Sequence, residues 1–460
     1  MSDLKWQEKK IVVLGAARQG LALARYLATH GARVILNDMK TPEQLSGDIQ
    51  SLKQMGVEMV FGSHPSELLD NADMLCLSGG IPLSLPIVQK AIQCGILLSN
   101  DSQIFMEAVP CKTIGITGSA GKTTTTTLVG RMAEAAKKGK VWVGGNIGLP
   151  LISLVDQMKP EDLVVLELSS FQLEQMTISP NIAAVLNITP NHLDRHNTMQ
   201  AYTAAKSQIL IHQKSDDIAI LNRDDEGSWA LAEKIQGFQY SFGFDKPASH
   251  YHGTSFHNDW VYLSSGTHEE KLMPREMILL KGKHNLANIL AACAIAAAAG
   301  LSADSMITGV AGFGGVPHRL ELVRVLHGVA WYNDSIATAP ERTMAAIQSF
   351  QEPLVLLLGG RDKKLPWDAL ISLINERVDH VVLFGDAGPM IESKLKDVKG
   401  KERPYSISLH KTMEEAVLAA CEVAQAGDVV LLSPGCTSFD AFKDFEERGE
   451  KFRQWVNSLS

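Results

Sequence analysis

The sequence predicts an α/β protein of three domains: an N-terminal Rossmann-like domain, a central P-loop ATPase domain with a mixed sheet, and a C-terminal Rossmann-like domain. Two observations predict this class. Short apolar segments that end in polar or glycine-rich turns recur along the chain and alternate with helix-like segments. The length of 460 residues suits about three domains. We place the domains at residues 1–110, 111–315 and 316–460.

Charge and composition restrict the function. The chain has 43 Lys and Arg against 51 Asp and Glu, a net charge of −8, which argues against nucleic acid or an acidic membrane as the main partner. Its six cysteines are scattered without a CxxC pair, so neither a zinc site nor a disulfide framework is indicated. The longest apolar run, at residues 289–299, is too short to span a bilayer. We expect a soluble protein of the reducing cytoplasm.

The first domain begins with a predicted strand, a tight turn and a helix over residues 10–27. Against the dinucleotide fingerprint G-x-G-x-x-G, the aligned positions are Gly15, Ala17 and Gly20, so the match is degenerate. The next strand ends in Asp38, an acidic position that such folds use against ribose hydroxyls. A dinucleotide, another nucleotide or nucleotide-sugar, and a purely structural turn all remain open.

A phosphate-binding turn opens the second domain. The segment Gly118-Ser119-Ala120-Gly121-Lys122-Thr123 lies between a predicted strand and a predicted helix. Its glycines allow close backbone approach to an anion, and the helix N-terminus and Lys122 add positive charge. The longer Walker pattern would need a glycine at Ile116, so only its GxxGKT core is present. We expect nucleoside triphosphate binding; the alternative is a strand–turn–helix with a solvated lysine.

Polar residues follow the neighbouring strands and helices. Glu167 ends an apolar strand, where a P-loop sheet places a magnesium-binding carboxylate, and His192 follows the next strand. Lys206 lies in an amphipathic helix and, without further information, is a solvated lysine. Asn285 and Asn288 share one helix face and can hydrogen-bond a base or ribose, although helix capping by Asn285 explains it equally well.

Residues 237–275 are predicted to form a small antiparallel excursion, and a glycine cluster at residues 312–315 marks the second domain boundary. Beyond it lie four predicted strands, each followed by a polar or glycine-rich turn, which indicates a third Rossmann-like sheet. Asp334, Lys363 and Ser438 follow such strands, at the edge where open α/β sheets bind ligands.

Nine motifs occur in order over all three domains: GSAGKT, LELSSFQLE, NHLDRH, YTAAK, KHNLANILAA, PHR, NDS, LGGRDK and SPGCTSFDAFKDFEERG. Together they resemble the Mur ligase family. The resemblance implies an ATP-dependent amide ligase of peptidoglycan synthesis. The motifs LELSSFQLE and SPGCTSFDAFKDFEERG resemble those of the members that add D-glutamate to UDP-N-acetylmuramoyl-L-alanine. ATP would phosphorylate the muramoyl carboxylate, and the amine of D-glutamate would attack the acyl phosphate.

The resemblance also implies the roles of individual residues. Thr123 and Glu167 would meet one magnesium ion and His192 a second. Lys206 resembles the family lysine that carbon dioxide converts to a carbamate, a carboxylate-like metal ligand. The catalytic residues would be Lys122, Glu167, His192 and Lys206.

Three ligand sites follow from the same resemblance. ATP would be bound by Gly118, Ser119, Ala120, Gly121, Lys122, Thr123, Thr124, Asn285, Asn288, Arg319 and Asp334. The UDP substrate would be bound by Arg18, Gln19, Asp38, Ser78, Gly79, Asn146 and Ser169. D-Glutamate would be bound by Thr338, Lys363, Ser438, Phe439 and Phe442. The partners are therefore expected to be small molecules, with no nucleic acid and no membrane insertion, and the protein is expected to be a monomer.

The sequence departs from the family pattern at Ala120, Ile336 and Arg361, where relatives commonly carry other residues. None of these departures removes a reacting group. Two competing hypotheses remain. One is a sister ligase that adds another amino acid or adds glutamate to folate, and the other is a P-loop switch or UDP-sugar-binding module without ligase chemistry.

Overall fold

The computed structural model describes residues 5–45, 49–248, 252–280, 282–363, 365–396 and 404–460. Its strands form three sheets of five, nine and six strands. The chain divides into two compact units, Met1–Phe313 with the first two sheets and Gly314–Ser460 with the third. The predicted α/β class is confirmed, whereas the exact bounds of the three predicted domains remain predictions.

The first sheet is entirely parallel, with β1 at its centre between β2 and β4. Ile11–Leu14 of β1 are completely buried, as expected for a strand that is covered by helices on both faces. Its strands are β1 Lys10–Leu14, β2 Arg33–Asp38, β3 Glu58–Phe61, β4 Met74–Leu77 and β5 Leu97–Ser99, and its helices are α1 Arg18–Thr29, α2 Ile49–Gln54, α3 Pro86–Gln93 and α4 Asp101–Ala108.

The second sheet is mixed and has the order β14-β13-β12-β11-β10-β9-β6-β8-β7. Its strands are β6 Lys112–Thr117, β7 Val141–Gly145, β8 Leu163–Glu167, β9 Ile182–Val185, β10 Ile218–Asn222, β11 Phe238–Phe242, β12 His252–His257, β13 Trp260–Ser265 and β14 His268–Pro274. Its helices are α5 Lys122–Ala136, α6 Ser170–Leu173, α7 Leu193–His196, α8 Met199–Ile211, α9 Glu226–Trp229, α10 Lys283–Ala298 and α11 Ala303–Val310.

The position of β6 between β8 and β9 determines where the site forms. The carboxyl ends of these three parallel strands meet at one edge of the sheet. The predicted antiparallel excursion is right for β12–β14 and wrong for β11, which pairs in parallel with β10 and with β12.

The third sheet has the order β15-β16-β20-β17-β18-β19, and only β15 is antiparallel to its neighbour. The four predicted strands are present, but β15 and β19 were missed because both are partly exposed edge strands with a weak apolar pattern. Its strands are β15 Glu321–Leu326, β16 Val329–Asn333, β17 Leu354–Gly359, β18 His380–Phe384, β19 Ser406–Leu409 and β20 Val429–Gly435, and its helices are α12 Pro340–Gln348, α13 Asp368–Arg377, α14 Gly388–Lys396, α15 Met413–Val423 and α16 Phe445–Ser458.

The helices of the part of the chain that the structure describes are short or carry polar residues. No helix there has both the length and the apolar character that crossing a bilayer requires.

Candidate active site

The turn between β6 and α5 has the geometry of a phosphate cradle. Gly121 occupies the N-cap of α5 with a φ of +82°, a conformation that favours glycine. The ammonium of Lys122 folds back and donates a 2.9 Å hydrogen bond to the carbonyl oxygen of Gly118. The helix N-terminus and a lysine therefore converge on one turn, as anion binding requires.

Asn288 explains why the second glycine of the turn is needed. A Cβ atom added to Gly121 would lie 2.2 Å from Oδ1 of Asn288, so the start of α10 rests directly on the turn. Asn288 is buried and its amide faces Asn285 Oδ1 at 3.4 Å. The capping alternative for Asn285 is wrong, because Gly282 occupies the N-cap of α10. The two predicted asparagines are thus brought to the P-loop.

Substitution of Gly121 with alanine is expected to strain the turn and displace Asn288. Gly62→Ala is a matched control, because Gly62 has a φ of +88° and an added Cβ atom there would meet nothing within 4 Å. The control should lose about 1–2 kcal/mol of unfolding free energy from backbone strain alone. Gly121→Ala should lose roughly 1–3 kcal/mol more through overpacking. Denaturant unfolding measures both; equal losses would contradict the contact with Asn288.

Glu167 lies at the end of β8 with both carboxylate oxygens in use. The hydroxyl of Thr123 donates to Oε2 at 2.7 Å, and the amide of Asn146 donates to Oε1 at 2.9 Å. The side chain is buried. A hydroxyl and a carboxylate are hard oxygen donors of the kind that Mg²⁺ prefers, and Mg²⁺ usually completes its shell with waters and substrate phosphates. These residues fit a magnesium ion, although within the described ranges no three His, Cys, Asp or Glu side chains form a ready-made metal cluster.

Lys206 is only 1% exposed, so the interpretation as a solvated lysine is wrong. Its Nζ atom lies 3.0 Å from the carbonyl oxygen of Gly118 and 3.3 Å from Oγ1 of Thr117. The pKa of the Lys206 ammonium is lowered to about 7, mainly by burial and also by the nearby charge of Lys122, while Glu167 acts in the opposite direction. Two lysine side chains thus reach the same carbonyl group beside the carboxylate of Glu167.

His192 immediately precedes α7 and is exposed, with a φ of +53°. Its ring lies edge-on to that of Phe171, with 5.2 Å between the ring centroids. A left-handed backbone in a residue other than glycine is unusual and often marks a functional position. Its role at a second magnesium ion remains a prediction.

Most of the predicted UDP-binding residues lie near the ends of β1, β2 and β4, whereas Asn146 and Ser169 follow β7 and β8 of the central sheet. The carboxylate of Asp38 accepts a 2.7 Å hydrogen bond from the backbone N–H of Ala16, and Ser78 donates to the carbonyl oxygen of Gly15 at 3.0 Å. Arg18 and Gly79 are exposed beside them. Gln19 reaches the central sheet, where it donates to the carbonyl oxygen of Gly145 at 2.8 Å.

Ser169 has a local task. Its side chain accepts from the backbone N–H of Gln172 and donates to the Gln172 side chain at 2.8 Å, which caps α6. The Ser169 hydroxyl already donates one hydrogen bond and accepts one within its own helix. It could therefore contact substrate only through the second lone pair of its oxygen.

The predicted D-glutamate-binding residues all lie in the second unit, but they differ in their contacts and exposure. The ammonium of Lys363 lies 3.1 Å from the hydroxyl of Thr338. Ser438 is buried after β20, and Phe439 next to it is 60% exposed. Phe442 packs against the apolar core, so its ring contributes to the fold as well.

Asp334 is buried at the end of β16. It accepts hydrogen bonds from the Ser433 hydroxyl at 2.8 Å and the Leu320 N–H at 3.2 Å. Burial raises the pKa of the Asp334 carboxyl to about 7, against the lowering effect of the Ser433 hydrogen bond. Arg319 is exposed nearby and contributes positive charge.

Sequence reasoning missed several residues that build the site. Asn187 accepts from the N–H of Ala120 at 2.8 Å and donates to its carbonyl oxygen at 3.1 Å. Arg195 donates to the carbonyl oxygens of Gly80 and Ile81 at 3.1 and 3.3 Å. Asn187 follows β9, and Arg195 stands in the motif NHLDRH, but neither position indicates which backbone groups the side chain binds.

Comparisons with known proteins agree with this geometry. Residues 116–296 match the family described as Mur ligase middle domain, residues 318–436 the Mur ligase glutamate ligase domain, and residues 9–99 the Mur ligase MurD-like N-terminal domain. A UDP-N-acetylmuramoylalanine--D-glutamate ligase of Symbiobacterium thermophilum is 40% identical over 100% of both chains. The chain belongs to the Mur ligase family. A ligase of the same name from Koribacter versatilis is 38% identical over 98% of this Mur ligase and 98% of its own length.

Solved structures support the fold of this Mur ligase. The MurF ligase from Thermotoga maritima, solved in complex with ADP, is 19% identical and has a TM-score of 0.51 over 100% of this chain and 97% of that chain. At this identity the likeness concerns the fold alone.

At each of the three positions where this Mur ligase departs from the family pattern, the backbone is held by hydrogen bonds. At Ala120, Asn187 binds the backbone on both sides, so the turn is held without a side chain at that position. At Ile336, the guanidinium of Arg342 donates a 3.3 Å hydrogen bond to the backbone carbonyl oxygen, so a cation lies beside this turn. Arg361 exchanges backbone hydrogen bonds with Thr437, which ties the turn after β17 to the turn after β20.

Proposed function

We propose that the protein is an ATP-dependent amide ligase of peptidoglycan synthesis that adds D-glutamate to UDP-N-acetylmuramoyl-L-alanine. The observation that carries the proposal is the identity of 38–40% over essentially the whole chain to two ligases with that name. The site geometry agrees, because a carboxylate becomes an acyl donor only if phosphate charge is neutralised while it is transferred. The reaction takes place in the cytoplasm and the protein acts as a monomer.

The cradle would hold the phosphates of ATP. The N-terminus of α5 and the ammonium of Lys122 supply the positive field, and Asn285 and Asn288 lie against the same turn. Lys122 bonds a backbone carbonyl of its own turn, a contact that a phosphate oxygen can replace. In the second unit, Arg319 and Asp334 would contact the nucleotide as well.

Magnesium would be held by Thr123 and Glu167 at one position and by His192 and the carbamate of Lys206 at another. When bound, the metal ions would neutralise the developing charge of the transferred phosphoryl group. Asn146 orients Glu167 through the 2.9 Å hydrogen bond to Oε1.

Carbamylation of Lys206 is supported by its surroundings. Carbon dioxide adds to a neutral amine, and a pKa of about 7 leaves much of Lys206 neutral at neutral pH. The product carries a negative charge in place of a positive one. Because Lys122 lies close enough to lower the pKa of Lys206, its positive charge would also stabilise that anion.

The remaining residues would position the two organic substrates. Arg18, Gln19, Asp38 and the turn at Ser78 and Gly79 take the UDP group. Lys363 binds the side-chain carboxylate of D-glutamate, next to Thr338 and Ser438. Since these residues belong to different units, the reaction requires the second unit to close over the first. The amine of D-glutamate then attacks the acyl phosphate and inorganic phosphate leaves.

Release of phosphate from ATP tests the proposal directly. Purified protein should release phosphate only when UDP-N-acetylmuramoyl-L-alanine and D-glutamate are both present, with magnesium and bicarbonate. Mass spectrometry should find one new amide product. Replacement of D-glutamate with L-lysine, meso-diaminopimelate or L-alanine should abolish turnover. Nucleotide binding without amide formation would instead support a switch or binding module.

A further inference from the structure

Arg131 connects the nucleotide-binding helix to the last residues of the first unit. It lies on α5, the helix that begins at Lys122, and its Nε and Nη2 groups donate to the carbonyl oxygens of Gly309 and Ala311 at 2.8 and 3.1 Å. Its guanidinium carbon lies 5.5 Å from the centroid of the Phe313 ring. The Arg131 side chain therefore contacts three residues of the segment 309–313.

These contacts complete the end of α11. The last carbonyl groups of a helix have no partners within the helix, and a positive charge there also interacts favourably with the helix dipole. The two helices also approach closely, because a Cβ atom on Gly309 would lie 2.6 Å from Cγ of Met132 and 2.7 Å from its backbone nitrogen. The end of α11 is thus fixed directly on the backbone of α5.

Beyond this anchored segment, two glycines precede the first bridge of the second unit. Phe313 is buried and is the last residue of the first unit. Gly314 and Gly315 follow, and the second unit begins its own pairing with the bridge between Val316 and Arg319. The connection between anchored residues is therefore two glycines long.

We propose that Arg131 is a positioning residue that holds Ala311–Phe313 on the nucleotide-binding helix and so limits the connection between the units to Gly314 and Gly315. This rests on the proposed function, in which groups from both units must meet during the reaction. A short connection raises the effective concentration of one unit at the other.

The expected size of the effect follows from chain statistics. Release of Ala311–Phe313 lengthens the flexible connection from two residues to about five, and effective concentration falls roughly as the −3/2 power of length, which gives about fourfold. The nucleotide cradle lies at the other end of α5 and keeps its own contacts, so binding of ATP alone should be unaffected.

Steady-state kinetics and hydrogen exchange on the full chain test the proposal. Arg131→Ala should lower kcat/KM for D-glutamate about fourfold or more, while the Kd for ADP stays within about twofold. The amides of Ala311 and Phe313, which donate to the carbonyl oxygens of Ile307 and Val310, should exchange faster. Arg131→Lys should recover part of both effects, because one hydrogen bond can still form.

Two further variants separate the role of Arg131 from general damage. Lys138→Ala removes another cation that contacts a backbone carbonyl, Gly300 O at 3.3 Å, and should leave kcat/KM unchanged. Gly309→Ala should reproduce the kinetic loss without any change of charge, because its Cβ atom pushes α11 from α5. Wild-type exchange rates and wild-type kcat/KM in Arg131→Ala would overturn the proposal, as would an equal loss of ADP affinity. If the wild-type protein adds no D-glutamate, the proposed function fails, and the exchange rates still decide the role of Arg131.

Discussion

Replacement of Lys206 with alanine is expected to lower the turnover number by about a hundredfold to a thousandfold, the range found when one preorganised charge-stabilising group is removed. The buried Nζ atom lies 3.0 Å from the Gly118 carbonyl of the phosphate cradle, so its carbamate would place negative charge where the metal ions are needed. A short carboxylic acid such as acetate should partly restore the activity of Lys206→Ala. Turnover measured with and without acetate provides the comparison.

Lys206→Met is the matched control for this rescue. Methionine fills the same volume as an uncharged chain, so it should be equally inactive and should not respond to acetate. In wild-type protein supplied with ¹³C-bicarbonate, NMR should detect a carbamate carbon that both variants lack. Near-wild-type turnover by Lys206→Met would contradict the role assigned to this lysine.

Glu167→Gln is expected to lower the turnover number by a similar factor, about a hundredfold or more, and to raise the magnesium concentration needed for half-maximal activity. Glutamine keeps the shape of the side chain and can still bond Thr123 and Asn146, but it removes the negative charge that would bind the metal. Magnesium titrations of initial rate at saturating substrates measure both effects.

Glu134→Gln makes the same chemical change on the exposed side of α5 and should leave both parameters at their wild-type values. Thermal unfolding should give similar transition temperatures for the two variants without nucleotide. An unchanged magnesium requirement in Glu167→Gln would refute the assignment of Glu167 as a metal ligand.

The local structure of the candidate site was predicted correctly where it is contiguous in sequence, whereas the binding roles of its residues stay predictions. The cradle from Gly118 to Thr123 and the acid at the end of β8 depend on a strand, a turn and a helix start, all of which leave a local pattern. The edge strands β15 and β19 of the third sheet were missed because they have no clear local pattern. Edge strands alternate less clearly between buried and exposed residues.

Side chains that form hydrogen bonds with backbone groups far away in the sequence could not be predicted. Asn187 and Arg195 bind carbonyl or amide groups that are 67 to 115 residues away in the chain, and a carbonyl group has no signature in the sequence. The burial of Lys206 was hidden as well. The sequence pattern predicts an amphipathic helix with Lys206 in solvent, whereas Ala205, Lys206 and Ser207 of α8 are consecutive and all buried.

The hydrogen bonds between the first domain and the central sheet determine which residues there can change in sequence. Gln19 donates to Gly145 O, Arg195 to Gly80 O and Ile81 O, and Asn100 to Gln172 O, so the acceptors of these contacts are backbone carbonyl groups. Other contacts, such as that of the Gln172 amide with the Ser102 hydroxyl, join two side chains. Backbone acceptors persist when the side chain at their position changes. The residues that supply these acceptors can therefore change in sequence without loss of the contacts, whereas the donor side chains of Gln19, Asn100 and Arg195 have to be kept.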